Sequence, residues 1–133
     1  MFGKEAKKGR KNTIDSLIGV GTRVEGNIFF SGGLRIDGEV QGNIASNEGS
    51  AGMLVISEKG SVEGAIAVAN VVINGTVIGP VNAKESLELL PSARVTGDVE
   101  YHQIEMQQGA VIQGRLIHQL GAKTIELKLA SGN

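Results

Sequence analysis

The sequence predicts an all-β chain wound as a parallel β-helix, and three observations carry that prediction. Of its 133 residues, 20 are glycine and only two are proline, while three Phe and one Tyr make up the aromatics. Glycine at about twice its usual share, beside many Val and Ile, marks short strands separated by tight turns. Apolar residues alternate in runs of about five at most before a Gly, Asn, Pro or Ser intervenes, which is the period of a strand with one buried face. The third observation is a phrase, apolar–x–Gly–x–apolar, that is written six times.

Taken in order, the phrase joins Val24, Gly26 and Ile28; Val40, Gly42 and Ile44; and Val62, Gly64 and Ile66. It continues with Val77, Gly79 and Val81; Val95, Gly97 and Val99; and Ile112, Gly114 and Leu116. The copies follow one another at similar intervals, and only the step from Val40 to Val62 is clearly longer than the rest. That long interval contains ASNEGSAG (45–52), read as a loop inserted into one repeat. A second short strand precedes most copies: Leu34 to Ile36, Leu54 to Ile56, Val71 to Ile73, Leu87 to Leu89 and Ile104 to Met106. A propeller blade needs about 40 residues, far more than any interval here, and a leucine-rich repeat carries a different signature. One coil per repeat fits, with equivalent residues stacked about 4.8 Å apart and glycines at corners that exclude a Cβ. The left-handed hexapeptide helix has a similar coil length, but it demands an apolar residue every sixth position. The irregular intervals here break that register.

The chain divides into a basic arm (1–13), a β-helix of about six rungs (14–129) and a short tail (130–133). The arm is read as disordered. Its first twelve residues hold Lys4, Lys7, Lys8, Arg10 and Lys11 against Glu5 alone, leaving eight basic and thirteen acidic residues for the rest. An acidic body argues against broad nucleic-acid binding. Met1 and Phe2 ahead of Lys4, Lys7 and Lys8 suit an anionic membrane surface, where each cation is worth about 1 kcal/mol and a buried Phe about 2. A filament carrying many such arms would bind by avidity.

The chain has no cysteine, which excludes thiol catalysis and cysteine-ligated metal. There is no Walker sequence, so nucleotide is not expected. With no spanning apolar run and no signal-peptide core, the expected location is cytoplasmic. His102 and His118, each followed by Gln, lie about one repeat apart and are read as an exposed corner pair on neighbouring rungs. A catalytic zinc usually has three protein ligands, so a carboxylate such as Glu100 or Glu105 would have to complete a site. A small β-helical zinc or acyltransferase-type enzyme using these histidines is the alternative reading. Catalytic residues, cofactor and metal are expected to be none. Glu25, Gln41, Glu63, Thr96 and Gln113 share one slot and form a solvated ladder, while Asn27 and Asn43 stack as a hydrogen-bonded turn ladder.

A β-helix with uncapped ends presents unpaired backbone groups and an apolar cross-section. No capping helix is evident, and Thr124 to Leu129 alternates like one more strand. End-to-end stacking is therefore expected, through Val20, Val24 and Ile28 on one side. On the other side are Met106, Ile112, Leu116, Ile125 and Leu127. If like ends meet, two isologous contacts alternate and the filament has no polarity. Segments 13–20 and 117–129 acting as caps would instead leave a monomeric β-helical adaptor.

Five stretches in this order, IGVGTRVEGNI (18–28), GGLRIDGEVQGNI (32–44), LVISEKGSVEGAI (54–66), VVINGTVIGPV (71–81) and LELLPSARVTGDVEY (87–101), resemble the bactofilins, over about Ile14 to Leu116. Met1-Phe2-Gly3-Lys4 is similar to the short membrane-targeting motif of many bactofilins. The resemblance implies a right-handed β-helix that polymerises into non-polar filaments without nucleotide. It also implies a bacterial cytoskeletal role on the inner face of the cytoplasmic membrane, organising cell shape or cell-wall-modifying enzymes. A long proline-rich tail is absent, so partners borne by such a tail are not expected.

Overall fold

The computed structural model describes residues 14–47 and 52–119. Among these residues there are fifteen strands and no helix, and every strand pairing is parallel. The first rung is β1 (Ser16–Ile18), β2 (Arg23–Glu25) and β3 (Ile28–Phe30). The second is β4 (Gly33–Ile36), β5 (Glu39–Gln41) and β6 (Ile44–Ser46), and the third opens with β7 (Met53–Ile56) and β8 (Ser61–Glu63). From there the last side of each rung runs unbroken into the first side of the next, giving β9 (Ile66–Ile73), β11 (Val81–Leu89) and β13 (Val99–Met106). The middle sides are β10 (Thr76–Ile78), β12 (Arg94–Thr96) and β14 (Val111–Gln113), and β15 (Leu116–His118) closes the sixth rung.

The expected solenoid of about six rungs is what the chain forms, and the six copies of the phrase stack in register. Val24, Val40, Val62, Val77, Val95 and Ile112 form one inward column. Ile28, Ile44, Ile66, Val81, Val99 and Leu116 form a second. Leu34, Leu54, Val71, Leu87 and Ile104 make a third, and Ile18, Ile36, Ile56, Ile73, Leu89 and Met106 a fourth. The middle members of these columns are the core. Because each inward residue stacks on its like, one apolar type can fill a column, and each fully buried aliphatic side chain contributes about 1.5–3 kcal/mol.

The phrase is not a single strand. Its glycine breaks it into two, and the break is a corner. Gly26, Gly42, Gly64, Gly79, Gly97 and Gly114 all have positive φ, between 134° and 157°. A Cβ on Gly42, Gly64, Gly79, Gly97 or Gly114 would fall on the carbonyl oxygen of the corner glycine one rung before. The rungs approach so closely there that only hydrogen fits.

The uneven period has a simple origin. Between the first and second sides of a rung, the chain uses either a short corner, as from Ile73 to Val77, or a longer one, as from Leu89 to Val95. The long corners close with backbone hydrogen bonds Thr22 N to Gly19 O, Gly60 N to Ser57 O, Ala93 N to Leu90 O and Ala110 N to Gln107 O. A bulge in β11 adds a further position: Lys84 and Glu85 intervene between Ala83 and Ser86, whose partners on β9, Val68 and Asn70, are separated by Ala69 alone.

Two local expectations need correction. The inserted loop does not begin at residue 45, because Ala45 and Ser46 belong to β6 and pair with Phe29 and Phe30. A small or polar residue suffices in an inward slot at the rod's periphery, so the strand outlasts its apolar pattern. The first rung also has a strand, β1, that the list of paired repeats lacks. Ser16 fills the slot that Leu34 holds on the next rung, and this hides the pattern.

The two ends of the rod as candidate assembly surfaces

Each end shows what a middle rung looks like before its neighbour is added. At the N-terminal end, Ile18, Val24, Ile28 and Phe30 pack on the core from one side and stay partly exposed. Their second-rung partners Ile36, Val40 and Ile44 are at most 1% exposed. Val24 and Ile28 therefore stand at the end surface. Val20, exposed in the turn after β1, lines a shallow groove of about 480 Å³ with Arg35, Asp37, Val55, Lys59 and Val72. It belongs to the lateral face as much as to the end. Leu17 and Phe29, also exposed, occupy outward slots beside the end, stacked with Arg35 and Ala45 respectively.

At the C-terminal end, Ile104 and Ile112 are half-buried while Met106 and Leu116 are 44% and 50% exposed. The fifth-rung partners of Met106 and Leu116, Leu89 and Val99, are fully buried. The structure thus brings Met106, Ile112 and Leu116 together on one face. In the sheets, β14 and β15 are terminal, as are β2 and β1 at the other end. Ile125 and Leu127, like Met1, Phe2, Lys4, Lys7 and Lys8, which the sequence suggests for membrane contact, lie outside the described residues.

The two histidines sit on this same end. In register, His118 stacks on Tyr101 rather than on His102. The Tyr101 and His118 rings are 5.3 Å apart, and the His102 ring stacks against His118 at 6.2 Å. His118 Nε2 donates to the His102 carbonyl oxygen at 3.0 Å, and His102 Nδ1 donates to the Gln119 carbonyl at 3.3 Å. The Gln119 amide reaches Glu100 Oε1 at 2.7 Å and Asn82 Oδ1 at 3.1 Å. Among the described residues no three His, Asp or Glu side chains converge in a way that could hold a metal.

The lateral ladders have the expected character. Glu25, Gln41, Glu63, Thr96 and Gln113 form an exposed column, with Ile78 as its sixth member, 47% exposed. Asn27 Oδ1 accepts from Asn43 N at 2.9 Å, and Asn43 Oδ1 accepts from Ala65 N at 2.9 Å. Asp98 repeats the arrangement, accepting the Arg115 N–H at 3.1 Å and its guanidinium at 3.0 Å. Those hydrogen bonds from Arg115 hold the Asp98 carboxyl below the usual carboxylate range, and they raise the Arg115 guanidinium in return.

The family model that matches the chain, over residues 16–117, is described as bactofilin, polymer-forming cytoskeletal. Two curated proteins of Myxococcus xanthus (strain DK1622) are similar to it. Bactofilin BacP is 28% identical over 105 residues, covering 79% of this chain and 42% of that protein. Bactofilin BacO is 32% identical over 109 residues, covering 80% of this chain and 83% of that protein. The chain thus spans less than half the length of BacP but most of BacO. No solved structure matches significantly.

Proposed function

Because this chain belongs to the bactofilin family of polymer-forming cytoskeletal proteins, we propose that it assembles end to end, without nucleotide, into membrane-associated filaments. The observation that carries this reading is the pair of apolar cross-sections, one at each end of the described rod. Each is built from the same columns that pack fully in the middle. A rung added to either end would continue those columns and remove the half-exposed Val24 and Ile28, or Met106 and Leu116, from water. Like ends meeting would alternate two isologous contacts, and the filament would have no polarity.

The basic arm, with Met1, Phe2, Lys4, Lys7 and Lys8, holds this filament on the inner face of the cytoplasmic membrane. There the filament serves as a structural scaffold for cell shape or for cell-wall-modifying enzymes. Negative-stain electron microscopy of the purified chain in nucleotide-free buffer tests the assembly. Filaments are expected, and isolated particles would refute it. For the arm, deletion of residues 1–12 is expected to abolish sedimentation with anionic liposomes while sparing filaments. Undiminished sedimentation would refute the anchor.

A further inference from the structure

The inward columns are made of aliphatic, aromatic and small side chains, with one departure among the described residues. The column that runs Val68, Ala83, Tyr101 ends on His118. Val68 and Ala83 in that column are fully buried. Thus His118, exposed on the last described rung, occupies the slot that is core in the middle rungs. We propose that the C-terminal cross-section accepts a second copy of this chain only while His118 is neutral, so that mild acid opens this contact and leaves the N-terminal one closed. The inference rests on the end-to-end assembly proposed above.

The geometry supplies the mechanism. His118 Nε2 is committed as a donor to the His102 carbonyl, so an incoming proton goes to Nδ1. The product is an imidazolium two residues from Leu116 on the last described strand, on a face that assembly would cover. Burying a charge without a partner is far costlier than burying a neutral ring. No described inward slot holds a carboxylate to compensate it. On β13, Tyr101 is neutral, His102 is never negative, and the Glu100 carboxylate, which accepts from the Gln119 amide, stands in the outward slot paired with Ile117. β14 (Val111–Gln113) carries no charged side chain, and on the corner before β15 Arg115 is paired with Asp98. At the opposite end the inward positions are Ser16, Ile18, Val24, Ile28 and Phe30, none of which titrates near neutrality. The two ends therefore differ in proton sensitivity although both are apolar.

The sign follows from linkage. Imidazole gains a proton around pH 6.5. A contact that admits only the neutral form is complete above that range and is lost as pH falls through it.

The experiment compares the full-length chain with H118L, H118Q and H102Q by sedimentation and negative stain at about pH 8 and about pH 5.5, with circular dichroism to confirm folding. Wild type and H102Q are expected to form filaments at the higher pH and to fall apart at the lower into particles of two copies. H118L and H118Q are expected to keep their filaments at both. Wild-type filaments unchanged by acid would overturn the inference and leave the filament reading standing. Acid dissolution shared by both His118 variants would also overturn it, by placing the sensitive group elsewhere. Absence of filaments at either pH would overturn the assembly itself. Single copies in acid, with rescue by H118L, would support the proton switch and refute the meeting of like ends.

Discussion

The middle rungs and the end rungs are written in the same phrase and have different physics. Ile56 and Met106 stand in one column, yet Ile56 is fully buried and Met106 is 44% exposed. Gly97 and Gly26 stand in equivalent corners. A Cβ at Gly97 would approach the Gly79 carbonyl oxygen to 2.6 Å, while one at Gly26 would meet none of the described residues within 4 Å. What a residue does in this fold depends less on its type than on whether a rung lies on both sides of it. Middle positions therefore hold the rod together, and the same residue types at the ends remain available to another molecule.

The largest effect on the isolated rod is expected at the corners. Gly97→Val combines positive-φ strain with a collision against backbone that cannot move away. A loss beyond about 4 kcal/mol is expected, in the range reserved for gross disruption. Gly26→Ala meets only the φ penalty, about 1–3 kcal/mol. Thermal denaturation of the two variants checks the contrast, and equal losses would mean that stacking closeness does not matter at this corner.

Next come the columns. Ile56→Ala should cost about 2–5 kcal/mol, because its site is enclosed above and below. Met106→Ala should cost less than about 1 kcal/mol, since nearly half of its surface is already in water. If urea midpoints shift equally, the C-terminal face is covered in the isolated chain. Leu116→Arg sharpens the comparison further. At a half-exposed position it should leave the rod's melting temperature within a few degrees of wild type. In an assembled contact it places an unpaired charge on an apolar face, costing several kcal/mol, and filaments should disappear. Unchanged filaments would remove Leu116 from the contact.

Much of this fold is legible in the sequence because it repeats itself in the one variable that a solenoid reads, the inward residue. Val24, Val40, Val62, Val77, Val95 and Ile112 can be aligned by eye, and they are aligned in space. Legibility fails where a slot is filled by something other than a large aliphatic side chain. Ser16 hides β1, and Ala45 with Ser46 reads as loop although their neighbours hold them in the sheet. Counting one repeat from His102 to His118 suggests a stacked histidine pair, and the two rings do stack at 6.2 Å. The backbone register nevertheless pairs His118 with Tyr101, because the last rung is slightly longer than that count. Aligning Val99 to Tyr101 with Leu116 to His118 shows that His118 continues an inward column. The end surfaces are legible in kind, since apolar residues fall at both termini. Val20 cannot be assigned from spacing alone, because the turn after β1 carries it toward the lateral groove.

The smallest expected effect lies on the corner ladder, and it separates charge from hydrogen bonding. Asn27, Asn43 and Asp98 use the same oxygen in the same way, each accepting an N–H from the next rung. Only Asp98 adds a charge-assisted bond, to the Arg115 guanidinium. Asp98→Asn can keep the backbone bond while losing the charge, whereas Asp98→Ala loses both. The carboxyl is held below its ordinary value, so its contribution is present above the ordinary carboxylate range and is lost as pH falls through the lowered one. The pair is exposed, so the difference between wild type and Asp98→Asn should be small at neutral pH, shrink with added salt and vanish in strong acid. Thermal melts across acid pH measure it. A difference that persists once the carboxylate is protonated would show that Asp98 acts through its shape and its backbone bond, as the two asparagines do, and that Arg115 adds nothing to the last rung.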